Sequence, residues 1–338
     1  MMAVIRSRRY IVLLMATIDV PPQPYSEDDK LGPLGIRASA LHDPVELRAK
    51  LIGELHAAVQ SAREAAAAVD DGSAAAVHES RKALRRARSA LTMMSAALPK
   101  SERRAVKLAL QEARRSLSTV RDHAVAPQTL GSLKLSDEDR DTAKRVLDNA
   151  AEAIPPTADT KQLLGEAAAR AAAQAEALET ALPPQVTWDE LTWGIRKLYA
   201  EARRARRASK VSKSWFHAWR KRSKELAYAL DFVARQAGPR ALAVHSEFDA
   251  ITDTLGPAVD LIMVREFVQT HGLGLTPESI EHLRDTIDEQ LEESMKEGRK
   301  VGKDTFEMRA RKFEKRLSRA VKRDLMPIDS RRTNGHAE

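Results

Sequence analysis

From Pro44 onward, proline and glycine cut the chain into segments, and inside each segment apolar residues return every three or four positions. That period is helical, and the chain reads as all-α. "VELRAKLIGELHAAVQSAREAAAAV" is one helix closed by "DDGS", and "AVHESRKALRRARSAL" (residues 76–91) forms a second that ends around "LPK". Ser101 is placed to cap a third helix through "RRAVKLALQEARRSLSTVRD", and a fourth is broken by Pro127 and "GSLKLS" and resumes at "DEDRDTAKRVLDNAAEA". After Pro155-Pro156 an alanine-rich helix runs to Pro183-Pro184. Six further segments follow, opening at "WDELTW", "KSWFHAW", "ALAVHSE", "AVDLIMV", "TPESIEH" and "DTFEMRA".

Composition narrows the class. Only 14 glycines occur in 338 residues and aromatics make up 4%, so the helices are expected to pack mainly through Ala, Leu, Val, Ile and Met. There is no cysteine, which excludes disulfides, thiol nucleophiles and Cys-ligated zinc. The N-terminus has basic residues before a short apolar run without a small-residue cleavage pattern. Residues 1–42 read as a poorly ordered extension and 327–338 as a disordered tail. No segment approaches the ~20 apolar residues of a membrane span.

The formal charge of +8 points to an acidic partner, and its distribution is informative. With His78 at zero on a wheel of about 100° per residue, Arg81, Lys82 and Arg85 fall within about 60° of it, with Arg86 and Arg88 at the margins. Leu84, Ala87, Leu91, Met94 and Leu98 occupy the opposite face. "FHAWRKRSKELAYAL" repeats the design: Arg220, Lys221 and Lys224 flank His217, while Arg222 falls off the stripe. Arg203 and Arg207 belong to another cationic face with Arg196 and Lys210, beside Tyr199. Near the C-terminus, Arg309, Lys312, Arg316, Arg319 and Arg323 form a further row. Cationic stripes are ordinarily solvated faces with i,i+4 acids. Here ten Arg/Lys and no Asp or Glu lie between Arg203 and Lys224, and such repulsion is tolerated more readily where a polyanion relieves it.

His78 and His217 stand 139 residues apart, and the aspartates ending "LSTVRD" and "LGPAVD", Asp122 and Asp260, stand 138 apart. Two landmarks sharing nearly one offset read as an internal duplication. Asp122 and Asp260 read as carboxylates that cap amides or orient arginines. No carboxylate–histidine cluster at metal spacing, P-loop or nucleophile elbow appears. No catalytic residue, metal or cofactor is expected.

"VHESRKALRRARSAL" and "FHAWRKRSKELAYAL" resemble the two signature helices of the CHAD family, the conserved-histidine α-helical domain. The resemblance spans roughly residues 43–325. His78, Arg81, Arg85, Arg86 and Arg88 match the first signature; His217, Arg220, Lys221, Lys224 and Tyr228 match the second. Family members tend to be basic where this chain has Glu225 and Ala227, which thins the second half-site. The resemblance implies two pseudo-symmetric four-helix bundles with a basic cleft or pore between them: a first half at about 43–155, a connecting alanine-rich helix, and a second half at about 185–326. It also implies a stand-alone, cytoplasmic protein that binds inorganic polyphosphate without catalysis, with an association with polyphosphate granules. The signatures and the cationic stripes together give the expected ligand set: His78, Arg81, Lys82, Arg85, Arg86, Arg88, Arg203, Arg207, His217, Arg220, Lys221 and Lys224. A nucleic-acid-binding helical protein is the competing reading, since its electrostatics would be similar.

Overall fold

Several helices start where the sequence supplies an acceptor or a proline for the unpaired amides. The computed structural model describes residues 40–68, 73–152 and 157–326. The expectations for residues 1–39, the Pro155-Pro156 break and residues 327–338 lie outside these described residues. Helix α1 spans Pro44–Ala67, with the Asp43 carboxylate accepting from the Val45 and Glu46 amides at 2.9 and 3.1 Å. Then come α2 (Ser73–Met93), α3 (Lys100–Ser116), α4 (Ser118–Ser132), α5 (Asp137–Ala151) and α6 (Thr157–Ala181). They are followed by α7 (Trp188–Ala208), α8 (Lys213–Ala237), α9 (Pro239–Thr254), α10 (Gly256–His271), α11 (Pro277–Thr305) and α12 (Ala310–Leu325). No strand occurs among the described residues. Thr187 and Glu190 form a reciprocal capping box at the start of α7, and Ser212 caps α8.

Several boundaries differ from the sequence reading. The third helix does not run through "LSTVRD": it stops at Ser116, Leu117 makes a turn, and α4 begins at Ser118. Leu117 is fully buried, so burying it in the core outweighs the helical periodicity that continues past it. Pro127 does not break α4 but lies inside it. Ser101 is not the cap of α3, which starts one residue earlier after Pro99. Ala40 and Leu41, assigned to the extension, are buried in the core.

Helices α1, α3 and α6 pack together on Leu47, Leu51, Leu55, Val106, Leu110, Leu164, Ala167, Ala171 and Ala175. The alanine-rich "connecting" helix is thus a core element, its small side chains permitting close approach. The expectation of an aliphatic core holds there but not in the second half. Tyr199, Phe216, Trp219, Phe248, Phe306 and Phe313 form one buried aromatic cluster across α7, α8, α9, α12 and the end of α11. Tyr199 stacks on Phe313 with centroids 4.1 Å apart, and Trp219 meets Phe216 edge-on at 5.3 Å. No described helix is long and apolar enough to cross a membrane.

Two glycines let α11 lie on this cluster. A Cβ on Gly302 would sit inside van der Waals distance of the Trp219 ring, and one on Gly298 would meet Leu255 Cδ2 at 2.8 Å and Phe216 Cζ at 3.0 Å. Gly302→Ala should therefore lower stability by about 1–3 kcal/mol through overpacking, although alanine is the better helix former by about 1 kcal/mol. Gly53→Ala and Gly165→Ala, on helices where nothing lies within 4 Å of the new methyl, should raise stability by up to ~1 kcal/mol. Chemical denaturation reads both signs, and a Gly302→Ala variant as stable as the parent would contradict this packing of Trp219.

Candidate anion-binding cavity

Helices α2 and α8 cross, and their two cationic stripes face a common cavity of about 620 Å³. From α2 it receives His78, Arg81, Lys82, Arg85 and Arg86; from α8, His217, Arg220, Lys221, Lys224 and Tyr228. Nine of the twelve expected ligand residues thus sit, with Tyr228, around one space. Arg114 of α3 and Arg121 of α4 complete a set of nine cations against four lining carboxylates, Asp231, Asp249, Asp253 and Asp260. The excess is positive, and the acids gather on α8, α9 and α10.

The cations are held by groups beneath them. Arg81 donates to the Arg114 carbonyl at 3.1 Å. Arg121 bridges Asp122 at 2.9 Å and Asp260 at 2.8 Å, so the two landmark aspartates orient an arginine between the starts of α4 and α10. Gly256, opening α10, leaves room for Arg220, whose Nη2 would stand 3.4 Å from an added Cβ. Arg86 lies over the Tyr228 ring at 5.7 Å. The buried Nε atoms of Arg86 and Arg220 have no hydrogen-bond partner, so donor capacity at the site is open.

Burial and mutual repulsion weaken the hold of these bases on their protons. Lys221 is lowered to about 7 by burial and then by Arg88. Lys224 is lowered to about 8 by burial, then by Arg220 and Arg85. His217, at the exposed mouth, falls to about 4 through desolvation and then Arg114, Lys221 and Arg220. His78 is lowered too, chiefly by desolvation, with Glu79 opposing. Both imidazoles are neutral at pH 7 and can offer one N–H each.

Two expected ligand sets are placed elsewhere. Arg88 is 5% exposed and pairs with the buried Glu225 carboxylate at 3.0 Å; its position on the wheel margin turns it into the α2–α8 contact, away from the cavity. Arg203 donates to the carbonyls of Phe306 and Glu307 at 3.1 and 3.2 Å, covering the orphan acceptors at the end of α11. Arg207 is exposed and does not line the cavity. Both arginines lie on the stripe of α7, whose Tyr199 and Arg196 face α12. Arg222, off the stripe in sequence, pairs with Glu201 at 3.0 Å and Glu225 at 2.8 Å.

The sequence reading left Gln128, His245, Asp249, Thr252 and Asp253 out of the site. Asp249 and Asp253 carry a faint signal, an i,i+4 acidic pair on α9. Arg114 was visible only as one basic residue of "RRAVKLALQEARRSLSTVRD", and Arg121 only as the residue before Asp122. No group of three or more His, Cys, Asp or Glu residues able to hold a metal occurs among the described residues.

Comparison with known proteins agrees with the all-helical fold. The crystal structure of the CHAD domain from the plant Ricinus communis superposes with a TM-score of 0.58 at 16% sequence identity, covering 81% of this chain and 95% of that one. No curated protein matches the chain. The CHAD domain family model matches residues 52–269, a span that contains both histidine-led helices and both aspartate landmarks. The chain belongs to the CHAD family.

Proposed function

We propose that the protein binds inorganic polyphosphate in the α2–α8 cavity and does not cleave it. The observation that carries this reading is the convergence of nine cations on one cavity, with the Nε atoms of Arg86 and Arg220 unpartnered. A phosphate chain presents about one negative charge per unit and no base edges. Arginine forks, lysine point charges and neutral imidazole donors suit it. The family is generally polyphosphate-related, which supports the same ligand and an association with polyphosphate granules. Nucleic acid is the competing reading. A cavity walled by six helices favours a thin, single polyanion over a duplex, and its lining offers one aromatic side chain, Tyr228, for stacking. Absence of catalysis is part of the proposal, since phosphoryl transfer generally employs acid-held metal ions.

We further read the two basic helices as products of duplication forming the arms of one basic cleft. An offset near 139 residues lays α1 on α7, α2 on α8, α3 on α9 and α4 on α10. It also pairs Leu117 with Leu255, both buried residues at the turn before α4 and α10.

Three outcomes are expected. Arg85→Ala with Lys224→Ala removes one cation from each arm; at about 1.5–3 kcal/mol per charge-assisted contact, long-chain affinity should fall at least ~100-fold after allowance for screening. Unchanged affinity in isothermal titration would contradict a shared site. Binding should also be linked to protons. Because Lys221 and Lys224 titrate near 7 and 8 in the free protein, a bound polyanion raises both, so binding at pH 8 should take up protons and affinity should decline from pH 6 to pH 9. Titration in buffers of different ionisation enthalpy measures that uptake. The sign for the fold is opposite: with both lysines below their unfolded value of about 10.4, the unfolded chain binds more protons and the unliganded protein gains stability as pH rises through 7–8. Weaker binding at pH 9 would therefore not reflect unfolding. Lastly, long-chain polyphosphate incubated with the protein and Mg²⁺ or Mn²⁺ should keep its length on a gel; shortening or orthophosphate release would overturn the binding-only reading.

A further inference from the structure

Helix α9 has a second face that the cavity does not use. His245, Asp249, Thr252 and Asp253 line the cavity from one side of it. Arg240, Ala243, Val244 and Glu247 fall about 180° around the helix, and there α9 meets α12. A groove of about 390 Å³ opens between the two helices, lined by five cations and no carboxylate.

The groove is built on fixed parts. The core face of α12 buries Phe313, Leu317, Val321 and Leu325. The fully buried Asp324 carboxylate accepts from the Arg240 amide at 3.0 Å and the Ala241 amide at 2.9 Å, clamping α12 to the start of α9. Among the five cations, Arg240 stands 3.3 Å from Asp324, and Arg316 pairs with Glu247. Lys312 and Arg319 are exposed, and no carboxylate pairs with either among the described residues; the Arg319 Nε donates only to the Lys315 carbonyl at 3.1 Å. With Arg323 they stand seven and four residues apart on one line of α12, a row about 16 Å long. Ala243, Val244 and Ala320 lie between the two helices, short side chains that leave the groove open. Helix α12 lies beyond residue 269, outside the span that the family model matches.

We propose that the α9–α12 groove is a second binding site for an extended phosphate chain, which makes the protein bivalent and able to cross-link long polyphosphate. The inference rests on polyphosphate being the ligand of the α2–α8 cavity. A straight row of cations in a concave groove matches a thin polyanion carrying charge at regular intervals. A membrane surface would need apolar anchors in the row, whose exposed residues are charged. Duplex nucleic acid is the competing occupant. Two sites on opposite faces of α9 cannot compete for the same stretch of ligand, so one chain can join two protein molecules.

The test uses the full chain with tripolyphosphate, long-chain polyphosphate and duplex DNA as probes. The variants are Lys312→Ala/Arg319→Ala in the groove and Arg85→Ala/Lys224→Ala in the cavity. Calorimetry should count two tripolyphosphates on the wild type and one on each variant. Light scattering should show assembly of the wild type on long chains and little on either variant, with long-chain affinity of the groove variant down by roughly 10- to 100-fold through lost avidity. Should the alanine pair melt early, Lys312→Gln/Arg319→Gln keeps part of the aliphatic stem without the charge and gives the same readout. A single tripolyphosphate site lost in the cavity variant and untouched in the groove variant overturns the second site and leaves the cavity reading intact. A single site lost only in the groove variant overturns the cavity reading and the bivalence together. A groove variant that loses duplex DNA binding while its polyphosphate count and scattering stay at wild-type levels also overturns the proposal.

Discussion

The buried carboxylate of Glu225 allows two strongly basic helices to lie against one another. Where α2 crosses α8, Arg88 and Arg222 both turn toward it, and the Ser89 hydroxyl donates to the Glu225 backbone carbonyl at 2.7 Å. Arg222 reaches on to Glu201 of α7, so a chain of alternating charges ties three helices. A charge this deep is tolerated only when paired, because an unpartnered guanidinium or carboxylate there would cost several kcal/mol. An acid stands at position 225, where the family resemblance implies a base. This thins the cationic set of α8, but it sits on the contact face and not on the cavity face.

With the crossing neutralised internally, the remaining cations of the two stripes are turned toward the cavity. Its walls differ in character. Helices α2, α3 and α4 present arginines and lysines, whereas α9 presents Asp249 and Asp253. The carboxylates partly offset the repulsion in the unliganded state without closing the donors of Arg86 and Arg220. The lowered lysines relieve the rest by shedding protons near neutral pH. The unliganded cavity can thus tolerate a charge density that a phosphate chain would complete, and the cost of assembling it is met partly by deprotonation and not wholly by stability.

Cationic stripes that look alike in sequence do different work in the fold. The stripe of α7 is structural in part: Arg196 pairs with Glu314 at 2.9 Å and Arg203 closes the end of α11. The row on α12 stands over a groove of its own, on the far side of α9 from the cavity. Only the stripes of α2 and α8 meet each other.

The sequence alone determined the helices and their inward faces, because helical periodicity and capping are local and each residue's angle follows from its position. It also determined that His78 and His217 each lead a basic face of the same spacing, since a helical wheel needs no knowledge of packing. It could not determine which stripe faces empty space and which faces another helix. Arg85 and Arg88 lie on one cationic arc of α2, yet one lines the cavity and the other is buried against Glu225, 137 residues away in the chain. Arg114, Arg121, Asp249 and Asp253 join the site from three further helices for the same reason. A wheel gives the direction of a side chain from its own axis; only tertiary packing decides what waits there, water or a partner. The turn at Leu117 was settled in the same way, by a hydrophobic side chain reaching the core at the expense of a helix that local propensity would have continued.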